Sequence, residues 1–153
     1  VTSVMPGVIE AVASASFAAV GIGCPGSSGT PSLSASSASL PRLGSTFQLD
    51  LTGLPQGLAV ALGALGFSDT AWASTPLPHD LALMGMPGCT QYVSIESTYF
   101  MLSIGGSTTW TIPIPAQPGL VGATFFVQAL VPDQSANAFG ATVTNAGVAT
   151  IGG

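Results

Sequence analysis

The sequence predicts an all-β protein, an antiparallel sandwich or jelly-roll-like fold of seven to nine strands closed by one disulfide. Three observations carry this. Twenty glycines and twelve prolines cut the 153 residues into short runs. Most of those runs alternate apolar and polar side chains with period two, the repeat of a half-buried strand. Two cysteines, Cys24 and Cys89, stand in the similar settings GCPG and PGCT. An even count in a chain of exported appearance reads as a bridge.

The runs follow in order. In 45–53, STFQLDLTG, Phe47, Leu49 and Leu51 share one face, while Gln48, Asp50 and Thr52 share the other. LPQG at 54–57 turns the chain into 58–67, LAVALGALGF, which is apolar on both faces as in a central or covered strand. An irregular stretch, 68–88, holds Pro76, Pro78 and Pro87. Residues 89–95 and 98–104 read as a hairpin around Glu96–Ser97, with Tyr92, Ser94 and Tyr99 on one face and Val93 and Phe100 on the other. After Gly105–Gly106, residues 108–114 alternate Trp110, Ile112 and Ile114 with threonines and Pro113, and the proline marks an edge strand. Residues 120–131, LVGATFFVQALV, form the strongest strand, with Phe126 and Leu130 opposite its inward stripe. A last pair, 140–145 and 147–152, turns near Asn145–Ala146. Residues 26–39, GSSGTPSLSASSAS, are locally low in complexity and read as a flexible loop.

The front of the chain differs. Val8 opens an apolar segment in which Ile9, Ala11, Ala13, Ala15, Phe17 and Ala19 make one stripe at strand spacing. Alanine also favours helix, so the segment reads as strand or helix. Either way, residues 1–20 form an arm ahead of a domain at 21–153. A chain opening at Val1 reads as a processed, mature product.

Composition narrows function. Charged residues make up 5%, against about 25% in ordinary globular proteins. Lysine is missing, Arg42 is the one strong cation, and Glu10, Asp50, Asp69, Asp80, Glu96 and Asp133 are the acids. One arginine does not neutralise a phosphate backbone, which argues against nucleic acid as a partner. The same shortage argues against anionic membrane surfaces. No run reaches the roughly 20 apolar residues of a membrane span. Such a neutral surface is expected to be covered by copies of the chain or by sugar on its hydroxyls. Without an Asn-x-Ser/Thr sequon, any sugar is expected to be O-linked, with 26–39 as the place for it.

Several motifs together carry a resemblance: GIGCPGSSGTP at 21–31, PRLGSTFQLDLTGLP at 41–55, LGFSD at 65–69, PLPHDL at 76–81, MPGC at 86–89, WTIPIP at 110–115, LVGATFFVQALV at 120–131 and TNAG at 144–147. As a set they resemble a domain found near the ends of large exported bacterial proteins. The resemblance implies an exported β-sandwich, at the bacterial cell surface or outside the cell, and no activity. The front of this chain lies outside the pattern.

Chemistry is sparse. His79–Asp80 with the many serines does not make a hydrolytic triad, because no GxSxG elbow is present. Asp69 and Asp80 flank a loop that could offer calcium a few oxygens, but the EF-hand spacing is lacking. No catalytic residue, cofactor or metal site is therefore expected. Tyr92 and Tyr99 are the candidate glycan face, with Trp72 and Trp110 read as core. The leading expectation is an extracellular subunit that polymerises with itself, its arm adding as a strand to a neighbour and Phe126 and Leu130 as a candidate interface. The alternative is a monomeric cell-surface glycan-binding or adhesion module.

Overall fold

The computed structural model describes residues 14–153, together with the backbone of Ser3–Met5 and Val8–Glu10, which pair with each other antiparallel. Nine strands build the body: β1 Ser16–Val20, β2 Ser32–Ala35, β3 Thr46–Thr52, β4 Leu58–Gly66, β5 Ser97–Ile104, β6 Thr108–Pro113, β7 Thr124–Pro132, β8 Ala141–Val143 and β9 Ala146–Thr150. They form two antiparallel sheets. The larger has the order β5-β4-β7-β9-β1, with β8 also on β7; the smaller has the order β6-β3-β2.

The expected alternation decides which side chains meet between the sheets. Phe47, Leu49 and Leu51 from β3 and Trp110 and Ile112 from β6 face Ala61 and Leu65 of β4, Met101 of β5 and Phe125, Val127 and Ala129 of β7. Phe47 is the hub, its ring 5.5 Å from Phe17 and 6.3 Å from Phe125. Trp110 is fully buried, and its indole lies so close over Gly63 that a Cβ there would sit 2.7 Å from the ring. Pro113 does lie on an edge strand, at the rim of the smaller sheet.

Four expectations are corrected. Residues 98–104 do not pair with 89–95; they belong to β5, which pairs over its whole length with β4, from Ser97↔Leu65 to Ile104↔Leu58. The runs 140–145 and 147–152 are not a hairpin either. β8 and β9 lie one after the other along the same side of β7, Leu130 opposite Val143 and Val127 opposite Gly147. Two residues of β7 thus face three of the neighbouring chain, a bulge. The loop at 26–39 is ordered: Ser27 donates from its amide and hydroxyl to Asp133 at 2.8 and 2.9 Å, and Ser32–Ala35 is a strand. Finally, the arm does not extend to residue 20. β1 pairs with β9 from Ala146↔Val20 to Thr150↔Ser16, and Phe17 packs into the core of its own molecule.

The bulge places Asn145 between the sheets. Its side chain accepts from the Leu33 amide at 2.8 Å and donates to the Leu33 carbonyl at 2.9 Å, acting as one rung of a ladder from β9 to β2. Near the same side, Gly152 and Arg42 form a parallel bridge, reinforced by Leu43 N–H to Gly152 O at 2.9 Å. The β2 side of the sandwich is therefore laced shut. Asn145→Ala would leave both Leu33 groups buried and unpaired, at about 1–3 kcal/mol each. Thermal unfolding of that variant is expected to fall by roughly 5–15 °C, on the scale of a few degrees per kcal/mol for a chain of this size.

Between β4 and β5, residues 67–96 fold back over the outer face of the larger sheet. Short two-residue pairings, Ala71–Trp72 with Thr75–Pro76 and His79–Asp80 with Thr90–Gln91, stiffen this excursion. Two devices hold it down. The Cys24–Cys89 disulfide sits in a second small core with Leu81, Met86, Ala141 and Val143. Gln128, buried on the outer face of β7, accepts from the Tyr92 amide at 2.9 Å and donates to the carbonyls of Thr90 and Thr144, both at 2.8 Å. A bridge across a sequence separation of 65 stabilises by about 4 kcal/mol on the chain-entropy account. Verified reduction is expected to lower the melting temperature by roughly 10 °C or more, measured by circular dichroism with and without reductant.

Candidate interaction surface

The side of the sandwich opposite the Asn145 lacing is open. There β5 ends the larger sheet and β6 ends the smaller, joined by the turn at Gly105–Gly106. Both glycines have positive φ, 71° and 89°, which lets the chain cross from one sheet to the other within two residues. Beyond the turn the two edges share one bridge, Ile104↔Ser107, and one side-chain bond, Thr108 Oγ1 to Leu102 O at 2.7 Å. A cleft of roughly 290 Å³ separates Tyr99–Leu102 from Thr108–Thr111. Among the described residues, no strand pairs with the outer edge of β5. Ser103 Oγ and Trp110 Nε1, on these two edge strands, are buried without a hydrogen-bond partner.

The outer face at this edge is apolar. Leu58, Val60 and Leu62 of β4 lie opposite Ile104, Leu102 and Phe100 of β5 in register. Ile104 is 75% exposed, Leu58 74%, Phe100 66% and Leu102 57%. Cross-strand neighbours on one face stand about 5 Å apart, so these side chains form one continuous patch. The excursion stops short of it. No Lys, Arg, Asp, Glu or Pro occurs within β5, so the devices that normally blunt an edge strand are missing.

Phe126 and Leu130 lie on the outer face of β7 but are half-buried, and Leu130 packs against the disulfide core. The exposed apolar surface is thus one or two strands over from the pair picked out by the sequence. Tyr92 and Tyr99 do not form a face. The Tyr99 ring packs at a tilt against Trp110, centroids 5.4 Å apart, while the Tyr92 hydroxyl meets the backbone of Ile22. Trp110 is core as expected, whereas Trp72 is exposed on the excursion. Val8 and Ile9 lie in the backbone strand Val8–Glu10, and Ala11 and Ala13 lie outside the described residues. Ala15 is buried, Phe17 packs on Phe47, and Ala19 is exposed.

Among the described residues no group of three or more His, Cys, Asp or Glu side chains stands close enough to hold a metal ion. Asp80 instead accepts from the Ala82 amide at 2.9 Å. Among the described residues no helix is long and apolar enough to cross a membrane. No protein-family model, curated protein or solved structure matches the chain.

The patch yields a direct expectation. Leu102→Lys places a cation on an exposed outer-face position without touching the core, so the melting temperature should stay within a few degrees of wild type.

Proposed function

We propose that this protein is an extracellular structural subunit that assembles with copies of itself into a filament or matrix, by addition of a strand to the free edge of β5. The observation that carries this reading is an eight-residue edge strand, uncharged and apolar on its exposed face, whose outer edge has no partner strand among the described residues. An incoming strand would find backbone donors and acceptors on one side and the Leu58–Ile104 patch beside it, the arrangement of β-strand addition.

Magnitudes indicate why both parts are needed. Each new hydrogen bond nets about 0.5–1.5 kcal/mol. Covering each large apolar side chain adds at most about 1.5–3 kcal/mol. Association costs on the order of 4–15 kcal/mol, which a few rungs alone would not offset. An apolar strand that pairs and also covers the patch would.

The donor is the N-terminal segment. It precedes β1, which is itself an edge strand of the same sheet, at the rim far from β5. A contact from one rim of one molecule to the opposite rim of the next is heterologous, and repetition of such a contact does not close unless its rotation makes a ring. The composition supports self-association further, since with 5% charged residues few ions have to be desolvated where copies meet. The disulfide suits an oxidising compartment outside the cytoplasm.

Electron microscopy and sedimentation of the purified protein test the reading. Wild type is expected to form filaments or sheets at micromolar concentration. The double substitution Phe100→Lys and Leu102→Lys, and deletion of residues 1–13, are each expected to give folded monomers. A wild type that remains monomeric at high concentration would contradict the proposal, and assembly unaffected by the lysines would place the contact elsewhere.

A further inference from the structure

The excursion over residues 67–96 does not lie flat on the sheet. Beneath it, beside the exposed patch, is a pocket of roughly 390 Å³. Its apolar walls include Ala64 and Leu130 from the sheet, Leu81, Met86 and Val93 from the excursion, and Phe139 from the loop before β8.

The polar groups around it define what it can accept. Gln128 lines the pocket, but its oxygen and its nitrogen are already engaged with Tyr92, Thr90 and Thr144. Gln91 spends its nitrogen on the Val93 carbonyl at 3.0 Å, leaving its oxygen as an acceptor. Thr75 and the half-buried His79 complete the polar lining. Among the described residues, no Asp, Glu, Lys or Arg contributes to the walls. A charged ligand would lose hydration there without gaining a partner of opposite sign. A neutral apolar molecule would lose little, and one hydroxyl or amine could reach Gln91 or His79. Mostly apolar walls with a few placed polar groups are the usual make-up of small-molecule sites.

The pocket is also held in shape independently of any ligand. Its roof is fixed to the sheet by the disulfide next to Met86 and by the three bonds of Gln128. Scaling from the roughly 150 Å³ cavity that takes up benzene, its volume suits a ligand of on the order of fifteen non-hydrogen atoms.

We propose that this pocket binds a small, neutral, largely apolar molecule, aromatic or aliphatic, carrying at most one hydrogen-bonding group. The site is separate from the strand-addition edge, and its occupancy does not depend on assembly.

N-phenyl-1-naphthylamine, a neutral fluorescent probe of about this size, tests the proposal on the full chain, with 8-anilinonaphthalene-1-sulfonate as its anionic counterpart. The expected result is saturable binding of the neutral probe, one per chain, and at least tenfold weaker binding of the sulfonate. Ala64→Phe fills the pocket from the sheet and Thr75→Phe from the excursion. Each should weaken the neutral probe at least tenfold, with circular dichroism and the melting temperature checking that the variant is folded. Two fillers from opposite walls keep the test alive if one fails to fold. Phe100→Lys, outside the pocket, should leave probe affinity unchanged. Loss of binding with Phe100→Lys but not with either folded filler would place the probe on the exposed patch and overturn the assignment. Equal binding of the two probes, or no saturable binding, would overturn it as well.

Discussion

Everything specific about this molecule follows from how unevenly its two sheets are joined. On the β2 side, the Asn145 amide and the Gly152–Arg42 bridge carry hydrogen bonds from one sheet to the other. On the β5 side, a glycine turn, one bridge and one threonine hydroxyl span the gap. A buried backbone group without a partner costs about as much as a lost hydrogen bond. The laced side is thus where the fold is secured, and the open side is where, among the described residues, hydrogen-bonding capacity remains free. Edge strands usually answer that problem with charge, proline or a bulge; β5 has none of the first two, and the bulge of the larger sheet is spent on placing Asn145.

The scarcity of ions makes the open side consequential. In an ordinary domain, lysines would flank such an edge and keep molecules apart. Here the sequence holds none, and several of the acids serve local structure. Asp133 fixes the turn at Ser27, Asp80 holds the amide of Ala82, and Glu96 receives the Ser94 hydroxyl at 2.7 Å and the Phe67 amide at 3.0 Å. Carboxylates spent on loops leave the patch of Leu58, Val60, Leu62, Phe100, Leu102 and Ile104 without an electrostatic guard.

Much of the fold was legible in the chain because period-two alternation reports which side of a strand faces inward. The inward stripes of β3, β6 and β7 were correctly assigned, as were Trp110 in the core, Pro113 on an edge and the Cys24–Cys89 bridge. Alternation does not report which strand lies alongside. Residues 97–104 alternate equally well against 89–95 or against β4, and the structure chooses β4, an apolar partner of matching length. The same ambiguity turned β8 and β9 into an apparent hairpin and left β1 in the arm. The tyrosine face failed for a related reason, since Tyr92 and Tyr99 belong to different elements. A signal for the open edge was nevertheless present: the both-faces-apolar run at 58–67 and a further run, 98–104, containing no charge. Two such neighbours leave an apolar surface uncovered unless another layer is supplied.

Amide hydrogen exchange at β5, compared between dilute and concentrated protein, tests this account most directly. If the free edge is where copies join, the Tyr99–Leu102 amides that point away from β4 exchange quickly in the dilute state and become strongly protected in the concentrated one, with little change at the laced Leu33. Equal exchange of those amides at both concentrations would contradict it.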